Sequence, residues 1–182
     1  MKNNLSNFAL VGIFAASSIL SSGAFASDGT ITISGEITAN SCKVAGSTSA
    51  NGDVAVALDK IATTAIGAAG KTAGFKPFTI TLSACDAAVT GAVKAGFEAG
   101  PTTDIATGRL NLIGTNGVAT NVQLQLRNSD DTIIKVGDNS TVNGATVVAS
   151  GAKLSYQVGY YANGVPTAGS ANSNVTYSII YL

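Results

Sequence analysis

The chain has 182 residues, with ten basic and ten acidic side chains, no histidine, no tryptophan and two cysteines. A balanced charge without a basic patch argues against nucleic acid as a partner. The missing histidine removes the commonest acid–base, nucleophilic and metal-ligand arrangements, so no catalytic role and no cofactor is expected. Sparse charge beside abundant Gly, Ala, Thr, Ser and Asn suits a β-rich extracellular protein rather than a helical bundle.

In chain order, a basic start at Lys2, an apolar run from Phe8 to Leu20 and the triplet Ala24-Phe25-Ala26 make a secretory signal peptide, cleaved after Ala26. No later segment approaches the roughly 20 apolar residues of a membrane span, so none is expected in the mature chain, which is read as a single domain. Residues 28–43 form one long β-candidate, in which Ile31, Ile33, Gly35 and Ile37 share a face. Gly35 reads either as a bulge or turn, or as a gap that fits a shallow point in a partner's groove. After the turn signal at Asn51-Gly52, residues 54–58 alternate as a second short strand. Residues 62–74 are a weakly periodic connection with room for a helical turn. Phe78, Ile80 and Leu82 mark the next strand, which runs into Cys85.

Shorter candidates follow at 93–97 and 109–113, separated by Gly100-Pro101. Val122, Leu124 and Leu126 then alternate with Gln123, Gln125 and Arg127, a strand with one apolar and one polar face. A turn at Asp130-Asp131 precedes 133–136. Residues 153–161 are another strand, closed by Asn163-Gly164-Val165-Pro166. The last strand places Val175, Tyr177, Ile179 and Tyr181 on one face and carries no lysine, proline or charge that would protect an edge. Short strands punctuated by Gly and Asn turns indicate an all-β sandwich.

Two isolated cysteines in an exported protein read as a disulfide, Cys42–Cys85, tying the end of the first strand to the end of the third. Closing a loop of about 44 residues contributes roughly 4 kcal/mol in the chain-entropy model.

The segment from Gly29 to Ile37 followed by Cys42, the stretch Tyr160-Tyr161-Ala162-Asn163-Gly164, and Gly169 fourteen residues from the end with Tyr181 next to last resemble the subunits of chaperone–usher pili of the type 1 and P pilus kind. The likeness spans essentially the whole mature chain. It implies an incomplete immunoglobulin-like sandwich lacking its last strand, completed by a donor strand from another subunit. Residues 27–38 would be the donor-strand extension, with Ile31, Ile33, Gly35 and Ile37 its contacts, and 39–182 the pilin domain. Gly169, Val175, Tyr177, Ile179 and Tyr181 would border the acceptor groove and meet the chaperone. The implied partners are other copies of the chain, a periplasmic pilus chaperone and an outer-membrane usher. The implied location is a fimbrium on the bacterial surface that supports adhesion.

Three rival readings are weaker. Adjacent Asp130 and Asp131 cannot act together on a strand, because they point to opposite faces. A stand-alone secreted carbohydrate-binding sandwich would expose aromatic side chains, whereas all five tyrosines lie in strand candidates. A type IV pilin would keep its apolar stretch at the start of the mature chain. A minor adaptor subunit of the same pilus remains the alternative to the major one. Intact-mass measurement of exported protein should show a chain beginning at Ser27 and two hydrogens fewer than the dithiol; two titratable thiols in the native protein would refute the disulfide.

Overall fold

The computed structural model describes residues 32, 34, 41–46 and 52–182, and the account below concerns the unit Thr38–Leu182. The expected signal peptide and the positions Ile31, Ile33, Gly35 and Ile37 lie outside the described residues. The strands are β1 (Lys43–Gly46), β2 (Thr72–Ser83), β3 (Ala92–Glu98), β4 (Thr103–Asp104), β5 (Arg109–Asn111), β6 (Val122–Asn128), β7 (Ile133–Ile134), β8 (Ala145–Thr146), β9 (Ala152–Ala162) and β10 (Thr176–Tyr181). Two single 3₁₀ turns, Thr63–Ile66 and Asn139–Thr141, are the only helical elements among the described residues. None is long and apolar enough to cross a membrane.

All strand pairs are antiparallel. One sheet runs β1-β2-β9-β6-β5-β4, with β7 pairing the far half of β6, and the other runs β10-β3-β8. Alternation explains most of this. Leu124 and Leu126 of β6, Leu154 and Tyr156 of β9, and Ile80 and Leu82 of β2 all turn inward, where they meet Val93, Ala95 and Phe97 of β3.

Two sequence expectations need correction. Residues 54–58 alternate as predicted, with Val54, Val56 and Leu58 half-buried and Ala55 and Ala57 exposed, but they join no sheet among the described residues. The Cys42–Cys85 disulfide is present, and with that segment outside the ladder it links the start of β1 to the end of its neighbour β2. Lys43 stands opposite Ser83 in that pairing.

Next, β2 begins at Thr72, well before Phe78, because a register shift between Ala73 and Lys76 accommodates extra residues against β9. Gly74 sits there at φ +67°, a conformation that other residues rarely adopt. The shift carries Phe75 over Gly159, where any side chain would come within 2.7 Å of the phenyl ring.

The polar face of β6 is covered. Gln123 and Gln125 are only 5 % and 4 % exposed. Arg109 of β5 lies over the ring of Tyr161 on β9, 3.7 Å from its centre, and Arg127 lies 3.8 Å over Phe75. Because β6 runs between β5 and β9, the Arg109 stem crosses this row of glutamines and helps to cover it. Below, Gln123 donates to Asp104 Oδ2 at 3.0 Å and Asn111 Oδ1 at 2.9 Å, while Gln125 accepts from Arg127. The Gln123 and Thr107 donors hold the Asp104 carboxyl below its ordinary range.

Tyr156 links the two sheets. It is 1 % exposed; its hydroxyl accepts the Ala95 N–H at 3.1 Å and donates to the Asn143 carbonyl at 3.0 Å. Its ring packs against Phe97 and Phe78 at centroid distances of 5.2 and 5.8 Å. Burial raises the phenol above its ordinary 10.0, opposed by the Ala95 hydrogen bond. The folded protein therefore holds this proton more tightly than the unfolded chain. That contribution to stability is complete below pH 10 and is lost as pH rises through the folded value. Chemical denaturation from pH 8 upward should show falling stability above pH ~10, with a flatter alkaline limb in Tyr156→Phe; identical limbs would refute the assignment.

Candidate functional site: an apolar cleft beside the last strand

Strand β10 pairs with β3 from Thr176–Glu98 through Tyr181–Val93. Its other edge carries no partner strand among the described residues. Along that edge lies a cleft of about 1210 Å³. One wall is the extended segment Val54, Val56, Leu58 and Ile61; the other is Val175 and Tyr177. The floor consists of core side chains, chiefly Phe78, Ile80, Leu124, Leu126 and Val158. Leaving such surface in water forfeits about 25 cal/mol per Å², so the cleft is a place where apolar burial is incomplete.

Two tyrosines, one from each sheet, position the wall at residues 52–61. Tyr177 of β10 donates its O–H to the Gly52 carbonyl. Tyr160 of β9 donates to the Asp59 carbonyl at 3.1 Å. Lys76 adds a salt bridge to Asp59 at 2.7 Å, largely exposed and therefore worth little. Burial, more than the nearby Asp59 and Asp53 charges, pushes the Tyr160 and Tyr177 phenols up, which keeps both hydroxyls as donors. Between the two anchor points, Val54–Leu58 form a wall that joins no sheet among the described residues.

The far end of the cleft is closed by residues 166–174. Gly169 is fixed there for a steric reason: a Cβ would lie 2.3 Å from Ala119 N and 2.6 Å from the Val118 carbonyl carbon. The chain holds this approach through Ser170, whose N–H donates to the Gly117 carbonyl at 2.7 Å and whose carbonyl accepts from Ala119 at 3.0 Å.

Of the residues singled out in the sequence, Gly169, Val175 and Tyr177 line the cleft. Ile179 and Tyr181 face the core on the same strand but lie beyond the lined stretch. The Tyr181 hydroxyl accepts the Cys42 N–H at 2.9 Å, joining the last strand to the disulfide. Sequence reading missed the opposite wall and the floor. The signal for the wall was there, since Val54, Val56 and Leu58 alternate, but alternation does not reveal whether a ladder partner exists.

These features define a class, a β-sandwich whose described residues leave one edge of the smaller sheet open. The chain matches the family described as "FimA: Type-1 fimbrial protein, A" over residues 58–182. It is 39 % identical over 179 residues to the F17 fimbrial protein of Escherichia coli, covering 94 % of this chain and 96 % of that one. It is 38 % identical over 142 residues to the major fimbrial subunit SMF-1 of Stenotrophomonas maltophilia, covering 74 % and 82 %. A subunit in a solved chaperone–usher pilus superposes with a TM-score of 0.60 at 16 % identity, over 86 % of this chain and 96 % of that one, which shows the fold, an immunoglobulin-like sandwich. The chain belongs to the type-1 fimbrial protein family and is a structural subunit of a surface fimbria, a filament of polymerised subunits.

Gly169→Val should lower the urea midpoint by the equivalent of about 1–3 kcal/mol, because backbone rather than a flexible side chain must move. Tyr181→Phe should cost about 1 kcal/mol through the orphaned Cys42 N–H. Parent-like melting of both variants would refute the packing described for this strand.

Proposed function

We propose that this chain is the repeating, major subunit of its fimbria and that the cleft is the acceptor for a strand donated by the next copy. The observation that carries the reading is the coincidence of an open strand edge with an apolar trough. A visiting strand could add main-chain hydrogen bonds to β10 and lower alternate side chains onto Phe78, Leu124 and Leu126.

Residues 27–38 suit the visitor. Ile31, Ile33 and Ile37 would each contribute about 1.5–3 kcal/mol on burial, and Gly35 would fall where the trough is shallow. Ladder bonds, at about 1 kcal/mol net each, add several more. On the acceptor side we assign Gly169, Val175 and Tyr177 to the groove itself, with Ile179 and Tyr181 continuing the receiving edge. Donor and acceptor surfaces differ, so the contact is heterologous and propagates as an open filament.

An exposed apolar trough invites aggregation before assembly. We infer that a periplasmic chaperone covers β10 until an outer-membrane usher exchanges it for the next subunit's extension. The likeness to a subunit of a chaperone–usher pilus supports this route.

Deleting residues 27–37 should abolish fibre growth while leaving chaperone capture intact. Moving the same segment behind Leu182, after a linker of about four to six residues, should give a soluble monomer that needs no chaperone. One residue inserted after Ile33 in that fusion turns Gly35 and Ile37 to the wrong face, and its denaturant midpoint should drop. Coincident melts of the shifted and unshifted fusions, or fibres from the truncated chain, would overturn the proposal.

A further inference from the structure

The chain contains four Asn-Gly pairs, at 51–52, 116–117, 143–144 and 163–164; Asn51 lies outside the described residues. Such a pair can rearrange without any enzyme. The glycine backbone nitrogen, unshielded by a Cβ, attacks the asparagine side-chain carbonyl carbon. A new C–N bond forms, the Cγ–Nδ2 bond breaks, and ammonia leaves with the proton from the glycine N–H. Water then opens the five-membered imide at one of its two carbonyls, giving aspartate or a β-linked isoaspartate. Water is the only co-reactant and nothing is oxidised or reduced. In a folded protein the rate depends on whether the side chain is free to swing and whether the backbone can close the ring.

The fold treats the three described pairs very differently. Asn143 is clamped at three points. Its side-chain amide donates to Asp130 Oδ2 at 2.9 Å, its N–H donates to Asn128 Oδ1 at 2.8 Å, and its carbonyl accepts from Tyr156. Gly144 is pressed against the Val93 carbonyl, 2.5 Å from where a Cβ would stand. Asn163 is exposed, but Asn121 fixes its backbone on both sides, accepting the Asn163 N–H at 2.9 Å and donating to the Val165 carbonyl at 2.8 Å. Asn116 has no such bond to its side chain or to its own N–H and carbonyl among the described residues; the nearest anchor is the Gly117 carbonyl, on the far side of the attacking nitrogen. Asn116 sits in the exposed stretch 113–117, and Gly117 (φ +63°) has nothing within 4 Å of its Cβ direction.

We propose that Asn116 is a self-modification site, converting to aspartate and isoaspartate in the folded subunit well before the other two described pairs. The position has structural reach. The next carbonyl, that of Gly117, accepts both the Ser170 N–H and the Ser170 hydroxyl, at 2.7 and 3.3 Å. An isoaspartate inserts an extra methylene into the main chain one residue before that acceptor and adds a carboxylate beside it. The product therefore loosens the support on which Gly169 and Ser170 rest.

The test uses the intact mature protein, held in mildly alkaline buffer and sampled over time by tryptic digestion and mass spectrometry. Cleavage at Arg109, Arg127, Lys135 and Lys153 puts the three pairs on separate peptides, 110–127, 136–153 and 154–182. Amide loss should appear first at Asn116, with Asn163 behind it and Asn143 slower than Asn116 by about tenfold or more, because reaction at Asn143 requires local opening. In guanidinium, where the clamps are gone, the three rates should converge. Native rates at Asn143 or Asn163 that match or exceed the rate at Asn116 would overturn the proposal, as would an order that persists unchanged in the unfolded chain.

Discussion

The inner face of the larger sheet is broader than the three strands laid against it. From β2 across β9 to β6 it presents a continuous apolar surface, and β3, β8 and β10 cover only part of that width. The shortfall falls where Phe78, Leu124, Leu126 and Val158 line the cleft. Other features of the molecule follow from that deficit. Among the described residues, the segment Val54–Ile61 is drawn up as a wall although it joins no sheet, and β10 has one edge without a partner strand. The described residues thus leave part of the burial of an ordinary sandwich incomplete, and on the reading proposed above a strand from a second copy completes it.

A half-open core needs side chains that are apolar along most of their length and polar at the tip. Tyrosine meets that requirement, and four of the five tyrosines use the hydroxyl to hold backbone far away in sequence. Tyr156 reaches Asn143 and Ala95, Tyr160 reaches Asp59, Tyr177 reaches Gly52 and Tyr181 reaches Cys42. The fifth, Tyr161, faces outward and supports the Arg109 guanidinium. The rims of the cleft are thus fixed by hydrogen bonds from rings that also belong to the core.

Most strands were legible in the sequence because period-two alternation is a direct record of which side of a pleated chain is buried. Strands β3, β6, β9 and β10 fall within a residue or two of their predicted spans, and the cysteine pair follows from count and export alone. The failures share a cause, since alternation records burial and not its agent. Val54, Val56 and Leu58 alternate because they face a cleft, with no ladder partner among the described residues. Gln123 and Gln125 mark a polar face, and alternation does not show that stacked arginines and aromatic rings from other strands cover it. The early start of β2 was hidden by Gly74, whose positive φ accommodates a bulge within what reads as a connection. Strand β4, two residues long, is too short to carry any period. In the candidate site, the last strand could be read from its own residues, whereas the floor is assembled from three strands that are distant in sequence.

The placement of the disulfide has a mechanical meaning. Strand β1 holds β2 over only four residue pairs, Lys43–Ser83 to Gly46–Ile80. A pull arriving along the chain ahead of Cys42 would strip such a ladder one pair at a time, the geometry in which a sheet resists least. The covalent bond to Cys85 meets the pull before the first of those pairs and passes it directly into the end of the longest strand of the larger sheet, and the Tyr181 hydroxyl receives part of it at the same residue. If residues 27–38 link one subunit to the next, as proposed above, traction along the filament would thereby pass into β2 and its neighbour β9 instead of unzipping the short strand β1 from its end.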